Sequence, residues 1–139
     1  MHDPHHVARR SVALTRGDVA VILVVDDEEP LLKVLVRFLS GLGHDVRTAT
    51  NGADALTLLQ KGGVDLLVTD IHLPRIDGIE VLKTLHSSGR ALPTIAMSGS
   101  GEADLSLLVG SAGWRAAIET LEKPFELDRL RAAIERVLS

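Results

Sequence analysis

The sequence predicts an α/β domain in which a five-stranded parallel sheet is covered by helices on both faces. Three observations predict it. Short β-branched apolar runs alternate with stretches of helical periodicity, in the order strand then helix, five times. Such alternation implies parallel strands joined by right-handed crossovers. Four of the strand-like runs also end in groups suited to a single site. Val21 to Val25 leads into Asp26 and Asp27, and Val64 to Thr69 into Asp70. Thr94 to Met97 leads into Ser98, and Ile118 to Leu121 is followed by Lys123-Pro124. Open parallel sheets bind ligands beyond the carboxyl ends of their strands, so three carboxylates, a hydroxyl and an amine are expected to converge there.

The elements follow in order. Residues 20–25 are continuously apolar, as expected for a strand covered on both faces. Pro30 fits the first turn of the next helix, where a missing N–H costs little. Leu31, Leu32, Leu35, Val36, Leu39 and Leu42 form its buried stripe, which Gly41 and Gly43 end. His44 to Thr50 reads as a short strand. Asn51 is placed to cap a second helix that carries Ala55, Leu56 and Leu59 and stops at Gly62-Gly63. Residues 64–69 form the third strand. After Leu73-Pro74-Arg75-Ile76, Asp77 is placed to cap a third helix through Ile79, Leu82 and Leu85, ended near Gly89. Leu92 to Ser98 is the fourth strand. Glu102 to Val109 has helical character interrupted by Gly110 and Gly113, and Ala116 to Leu121 is a weak fifth strand. Glu126 to Leu138 is the last helix, with Leu127, Leu130, Ile134 and Val137 on one face.

Bulk properties exclude several function classes. The 139 residues suit one domain with a proper core, and a 45% hydrophobic, 24% charged composition is that of a globular protein. A net charge of −4 leaves no electrostatic footprint for nucleic acid, and three aromatic residues make a poor base-stacking surface. The absence of cysteine rules out disulfides and thiolate metal sites and suits a cytoplasmic location. No apolar run reaches the roughly 18 residues of a membrane span. Residues 1–18 lack the apolar centre of a secretory signal and read as a flexible tail before a domain at 19–139. His2, His5 and His6 offer metal ligands, and Arg9, Arg10 and Arg16 an anion contact, but a solvated tail is the default.

Clustered carboxylates at strand ends suggest a hard divalent cation such as Mg²⁺, which prefers oxygen ligands and retains several waters. Asp27 and Asp70 are the main candidate ligands, with Asp26 direct or through water. An Asp carboxylate is also a competent nucleophile toward phosphorus. Phosphoryl transfer mostly requires positioning and charge neutralisation. Lys123 supplies a point charge for phosphate oxygens and Ser98 a hydroxyl donor.

At this point the chain resembles the receiver domain of bacterial two-component response regulators. The matching pieces are Val24-Val25-Asp26-Asp27-Glu28, Asp70-Ile71-His72-Leu73-Pro74 with Asp77-Gly78, Ala96-Met97-Ser98-Gly99, and Leu121-Glu122-Lys123-Pro124-Phe125. They occur in the family's order over roughly residues 19–138. The resemblance implies a flavodoxin-like (βα)5 fold. It implies that Asp70 is the phosphoacceptor and that Asp26 and Asp27 are the acidic pair for Mg²⁺. The backbone carbonyl of His72 would complete the metal shell. Ser98 would be the switch hydroxyl and Lys123 the phosphate-contacting lysine, with a cis peptide before Pro124. It also implies a sensor histidine kinase or phosphotransfer protein as donor, and an output partner protein. Such a domain is not a dedicated enzyme, but it catalyses its own phosphorylation and autodephosphorylation. Direct nucleic-acid binding and membrane association are not expected. Homodimerisation through the last sheet edge and helix is an expectation of the family.

The chain departs from the pattern at Thr120, which stands where the family carries a switch aromatic. Arg115-Ala116 replaces the usual Gly-Ala before the fifth strand. Trp114 is either a partner contact or edge packing. For His72, a loop residue engaged only through its backbone is preferred to a catalytic one, and Asp65 and Asp77 are expected to be structural. Arg129, Arg131, Glu135 and Arg136 are assigned to the solvated face of the last helix. The chain is read as a single-domain regulator or a fragment of a larger regulator or hybrid kinase. Two alternatives compete: a phosphate-independent interaction module with the same fold, and an Asp-nucleophile phosphatase. The phosphatase class carries an acid two residues after the nucleophile, where this chain has His72.

Overall fold

The computed structural model describes residues 19–90, 92–99 and 118–138. Five parallel strands form one sheet in the order β2-β1-β3-β4-β5. They are β1 (Val21–Val25), β2 (Asp45–Ala49), β3 (Leu66–Asp70), β4 (Thr94–Ser98) and β5 (Ile118–Glu122). The helices are α1 (Glu29–Gly41), α2 (Gly52–Lys61), α3 (Gly78–Ser87) and α4 (Leu127–Leu138). The expected tail at 1–18, the helical stretch Glu102–Val109, Trp114 and the Arg115-Ala116 step lie outside the described residues. No described helix is long and apolar enough to cross a membrane.

Successive strand residues face opposite sides of a sheet, so one apolar run supplies two cores. Ile22, Val24, Leu66, Val68, Ile95 and Met97 meet Leu32, Leu35 and Leu39 of α1 and Leu130, Ile134 and Val137 of α4. Leu23, Val25, Leu67 and Ala96 meet Ala55 and Leu59 of α2 and Val81, Leu82 and Leu85 of α3. This explains why β1, β3 and β4 are buried throughout and read as unbroken apolar runs, whereas the edge strands β2 and β5 are only partly buried.

The strand ends differ from the sequence expectation for identifiable reasons. β3 starts at Leu66, and Asp65 just before it bonds Val21 twice, its carboxylate accepting from the Val21 N–H at 2.8 Å and its own N–H donating to Val21 O at 2.8 Å. It continues through Asp70, which pairs with Met97 of β4. β4 begins at Thr94, after Pro93, which has no N–H to give to the ladder. α4 begins one residue later than expected, at Leu127. The caps are as expected: Asn51 accepts from the Asp54 N–H at 2.8 Å and Asp77 from the Ile79 N–H at 3.3 Å. Arg136 is not merely solvated, since it reaches Glu119 of β5 at 3.1 Å.

His44 fastens the start of the sheet. Its Nδ1 accepts from the Ala20 N–H at 3.1 Å, and its own N–H donates to Leu39 O at 3.2 Å. Burial pushes the imidazole pKa below its ordinary 6.5. The unfolded chain therefore takes up the proton first as pH falls. The His44 contribution is intact above about pH 6.5 and is lost as pH drops through the lowered value. Denaturant titrations at about pH 7.5 and pH 5.5 should show a larger loss of stability for wild type than for His44→Asn, which keeps an acceptor but cannot titrate.

Candidate functional site

The strand order places the site. From β1 the chain steps one way to β2 and the other way to β3, so a crevice opens between the carboxyl ends of β1 and β3. Val25 is level with Thr69, which sets Asp26 beside Asp70. The same register aligns Ser98 with Glu122, the residue before Lys123. The Lys123 N–H then donates to the Ser98 carbonyl at 2.7 Å. Hydrogen bonds across four neighbouring strands thus bring together groups as far as 97 positions apart in sequence.

Asp26, Asp27 and Asp70 each offer a carboxylate oxygen to one cluster whose atoms lie within 4.8 Å of one another. Asp26 is fully buried and Asp70 nearly so, while Asp27 is exposed. The Lys123 ammonium donates to Asp26 Oδ2 at 2.7 Å, Asp70 Oδ2 at 2.7 Å and Glu28 Oε1 at 3.0 Å. The other oxygens of Asp26 and Asp70 are bonded too. Asp26 Oδ1 accepts from the Glu28 N–H and Asp70 Oδ1 from the His72 N–H, both at 2.9 Å. Burial pushes the Asp26 carboxyl above its ordinary value, partly offset by the hydrogen bond from Lys123. For Lys123 burial acts to lower the pKa, but its bonds to Asp26, Asp70 and Glu28 outweigh it and raise the pKa, so the ammonium stays charged.

Most of the residues singled out in the sequence meet here. Asp26, Asp27, Asp70 and Lys123 form the centre, and Ser98, 2% exposed, lies at the adjoining end of β4. His72 is an exposed loop residue whose amide faces Asp70. The Lys123-Pro124 peptide is cis. Thr120 stands apart, exposed on edge strand β5 opposite Ala96. Glu28 entered the sequence analysis only as the last residue of the Val24–Glu28 match and received no role there. It occupies the N-cap of α1 without capping it through its side chain, which reaches Lys123 instead.

The loop after Asp70 is clamped by close approach. A Cβ on Gly78 would collide with the Asp70 carbonyl and the Ile71 backbone, and one on Gly52 with the Ile76 backbone. The Gly78 N–H donates to Ile71 O at 3.1 Å. No side chain larger than hydrogen fits either position without moving the loop.

A doubly wound sheet with acids and a lysine gathered at its switch point defines a receiver-type fold, and the comparisons show the family. The family described as response regulator receiver domain matches residues 22–135, and the chain belongs to that family. It is 35% identical over 119 residues to the DNA-binding transcriptional regulator NtrC of Escherichia coli, covering 86% of this chain and 25% of that protein. It is 36% identical over 117 residues to the response regulator MprA of Mycobacterium leprae, covering 84% of this chain and 50% of that one. The chain thus spans a quarter to a half of the length of these relatives. The response regulator TrrA of Thermotoga maritima, solved in complex with Mg²⁺-BeF, superposes with a TM-score of 0.74 at 29% identity over 86% of this chain and all of that one.

Gly78→Ala should destabilise the domain by about 1–3 kcal/mol in urea denaturation, the range for overpacking a filled site. Gly41→Ala is the control. A Cβ there meets nothing within 4 Å, and the change should be neutral or stabilising by up to about 1 kcal/mol.

Proposed function

We propose that Asp70 accepts a phosphoryl group from the phosphohistidine of a sensor kinase or phosphotransfer protein, and that the phosphorylated domain signals to a partner protein. The observation that carries this reading is Lys123 bonded at once to Asp70 and Asp26, within a cluster of three aspartates at the switch point of the sheet. In the proposed reaction one Asp70 oxygen attacks phosphorus. The new O–P bond forms as the donor's P–N bond breaks, and the leaving imidazole nitrogen keeps the electron pair and takes up a proton from water. The attacking electron pair is a lone pair of the Asp70 carboxylate. Lys123 holds a phosphoryl oxygen by charge-assisted hydrogen bonding, and the Ser98 hydroxyl donates to another.

The donor set suits Mg²⁺: hard oxygens, several carboxylates and an exposed side at Asp27 where waters can remain. Asp26, Asp27, Asp70 and the His72 carbonyl would hold it. When bound, it offsets the repulsion between the carboxylates and the incoming phosphoryl oxygens. The Mg²⁺-BeF complex of the Thermotoga relative supports this assignment by likeness.

The domain at 19–139 is proposed to work in the cytoplasm, where kinase and donor are available. Its output passes to a separate protein or to further domains of a longer regulator, as the names of NtrC and MprA suggest by analogy. A phosphate-independent interaction module is the second reading. It is favoured by Thr120, a small exposed residue at the position of the switch aromatic. Intact mass after incubation with acetyl phosphate separates the two. Wild type should gain one phosphoryl group with Mg²⁺ and none without it, and Asp70→Asn should gain none in either case. Failure of wild type to gain the group, together with unchanged amide spectra on adding beryllofluoride and Mg²⁺, would favour the phosphate-independent module.

A further inference from the structure

An ammonium has three N–H donors, and all three of Lys123 are committed: to Asp26, to Asp70 and to Glu28. A phosphoryl oxygen that binds Lys123 must therefore take a donor from one of them. The three carboxylates do not release it equally. The Asp26 side chain is fully buried, so losing its cation would leave a desolvated charge without compensation. Asp70 is the acceptor itself and stays within reach of the lysine. The Glu28 side chain is 63% exposed, and water replaces the ammonium there at little cost.

The Glu28 backbone is fixed on both sides. Its N–H is held by Asp26, and its carbonyl accepts from the Leu32 N–H at 3.0 Å. The carboxylate is therefore presented to the lysine from a set position at the mouth of the crevice. We propose that Glu28 is a positioning residue that occupies one donor of Lys123 in the resting state and yields it to the incoming phosphoryl group, an inference that rests on the phosphoacceptor reading above. Glu28 thereby opposes loading of Asp70 by the strength of one exposed ion pair and sets how readily the domain is charged. It also adds a fourth negative charge at the rim that an anionic donor must approach.

The test is an amide NMR titration of the full chain with beryllofluoride at saturating Mg²⁺, alongside a titration with Mg²⁺ alone. Wild type, Glu28→Gln and Glu29→Gln are compared. Glu29→Gln removes the same charge one residue further along, at the start of α1. Glu28→Gln should bind beryllofluoride about two- to fivefold more tightly than wild type, the range that an exposed ion pair can supply. It should not bind Mg²⁺ more tightly, and Glu29→Gln should stay closer to wild type in both titrations. Equal beryllofluoride affinities for wild type and Glu28→Gln would overturn the proposal. So would an equal gain in Glu29→Gln, which would reduce the effect to general charge. A change confined to Mg²⁺ affinity would overturn it as well, making Glu28 a residue of the metal. Absence of any beryllofluoride response in wild type is a different result: it strikes the phosphoacceptor reading itself, and this inference with it.

Discussion

The ammonium of Lys123 is the interaction on which the rest of the site depends. Four acids crowd the carboxyl ends of β1 and β3, and two of them are buried. Carboxylates in that setting repel one another and resist desolvation. One cation bonded to Asp26, Asp70 and Glu28 offsets that repulsion and holds them close together. The arrangement leaves an excess of negative charge, which is what a site awaiting a divalent cation requires. Local stability and readiness to bind metal therefore pull against each other here, as expected where function departs from the packing rules obeyed elsewhere.

Everything else in the fold serves to put that lysine in place. Lys123 arrives from the end of β5, and its amide is tied to Ser98 of β4. β4 is in register with β3, and β3 with β1, so an error at any one pairing would displace the ammonium from its partners. Both faces of the sheet are packed, which pins the register, because a slip by one residue would turn each apolar set to the wrong side. The loop after Asp70 lies so close to Gly52 and Gly78 that it has little freedom of its own. A rigid frame thus surrounds a few polar groups, among them Ser98, buried next to the lysine, and Thr120, exposed on the outer strand.

Much of this was legible in the sequence, and the exceptions have physical causes. The buried strands could be read because parallel strands covered on both faces leave unbroken β-branched runs, and Asp26, Asp27, Asp70 and Ser98 because each follows or ends such a run, whereas Lys123 follows a weaker edge strand and stood out by its place before Pro124. Asn51 and Asp77 could be read because capping is local chemistry. The reach of β3 through Asp70 could not, since it depends on pairing with Met97 of another strand. The role of Glu28 was hidden because an acid ahead of a helix is ordinary and its partner lies 95 positions away. The close approach at Gly78 was hidden because it exists only once α3 is docked against the end of β3. The bond from the His72 amide to Asp70 could not be read either, since it depends on how the loop after β3 turns back on the carboxylate.

The most direct test of this account is a crystal structure of the domain with Mg²⁺ and beryllofluoride. The account predicts beryllium bonded to an Asp70 oxygen, Mg²⁺ held among Asp26, Asp27 and Asp70, and Lys123 contacting a fluorine while Glu28 has turned to solvent. Beryllofluoride bound elsewhere, or bound at Asp70 with the lysine still held by all three carboxylates, would contradict it.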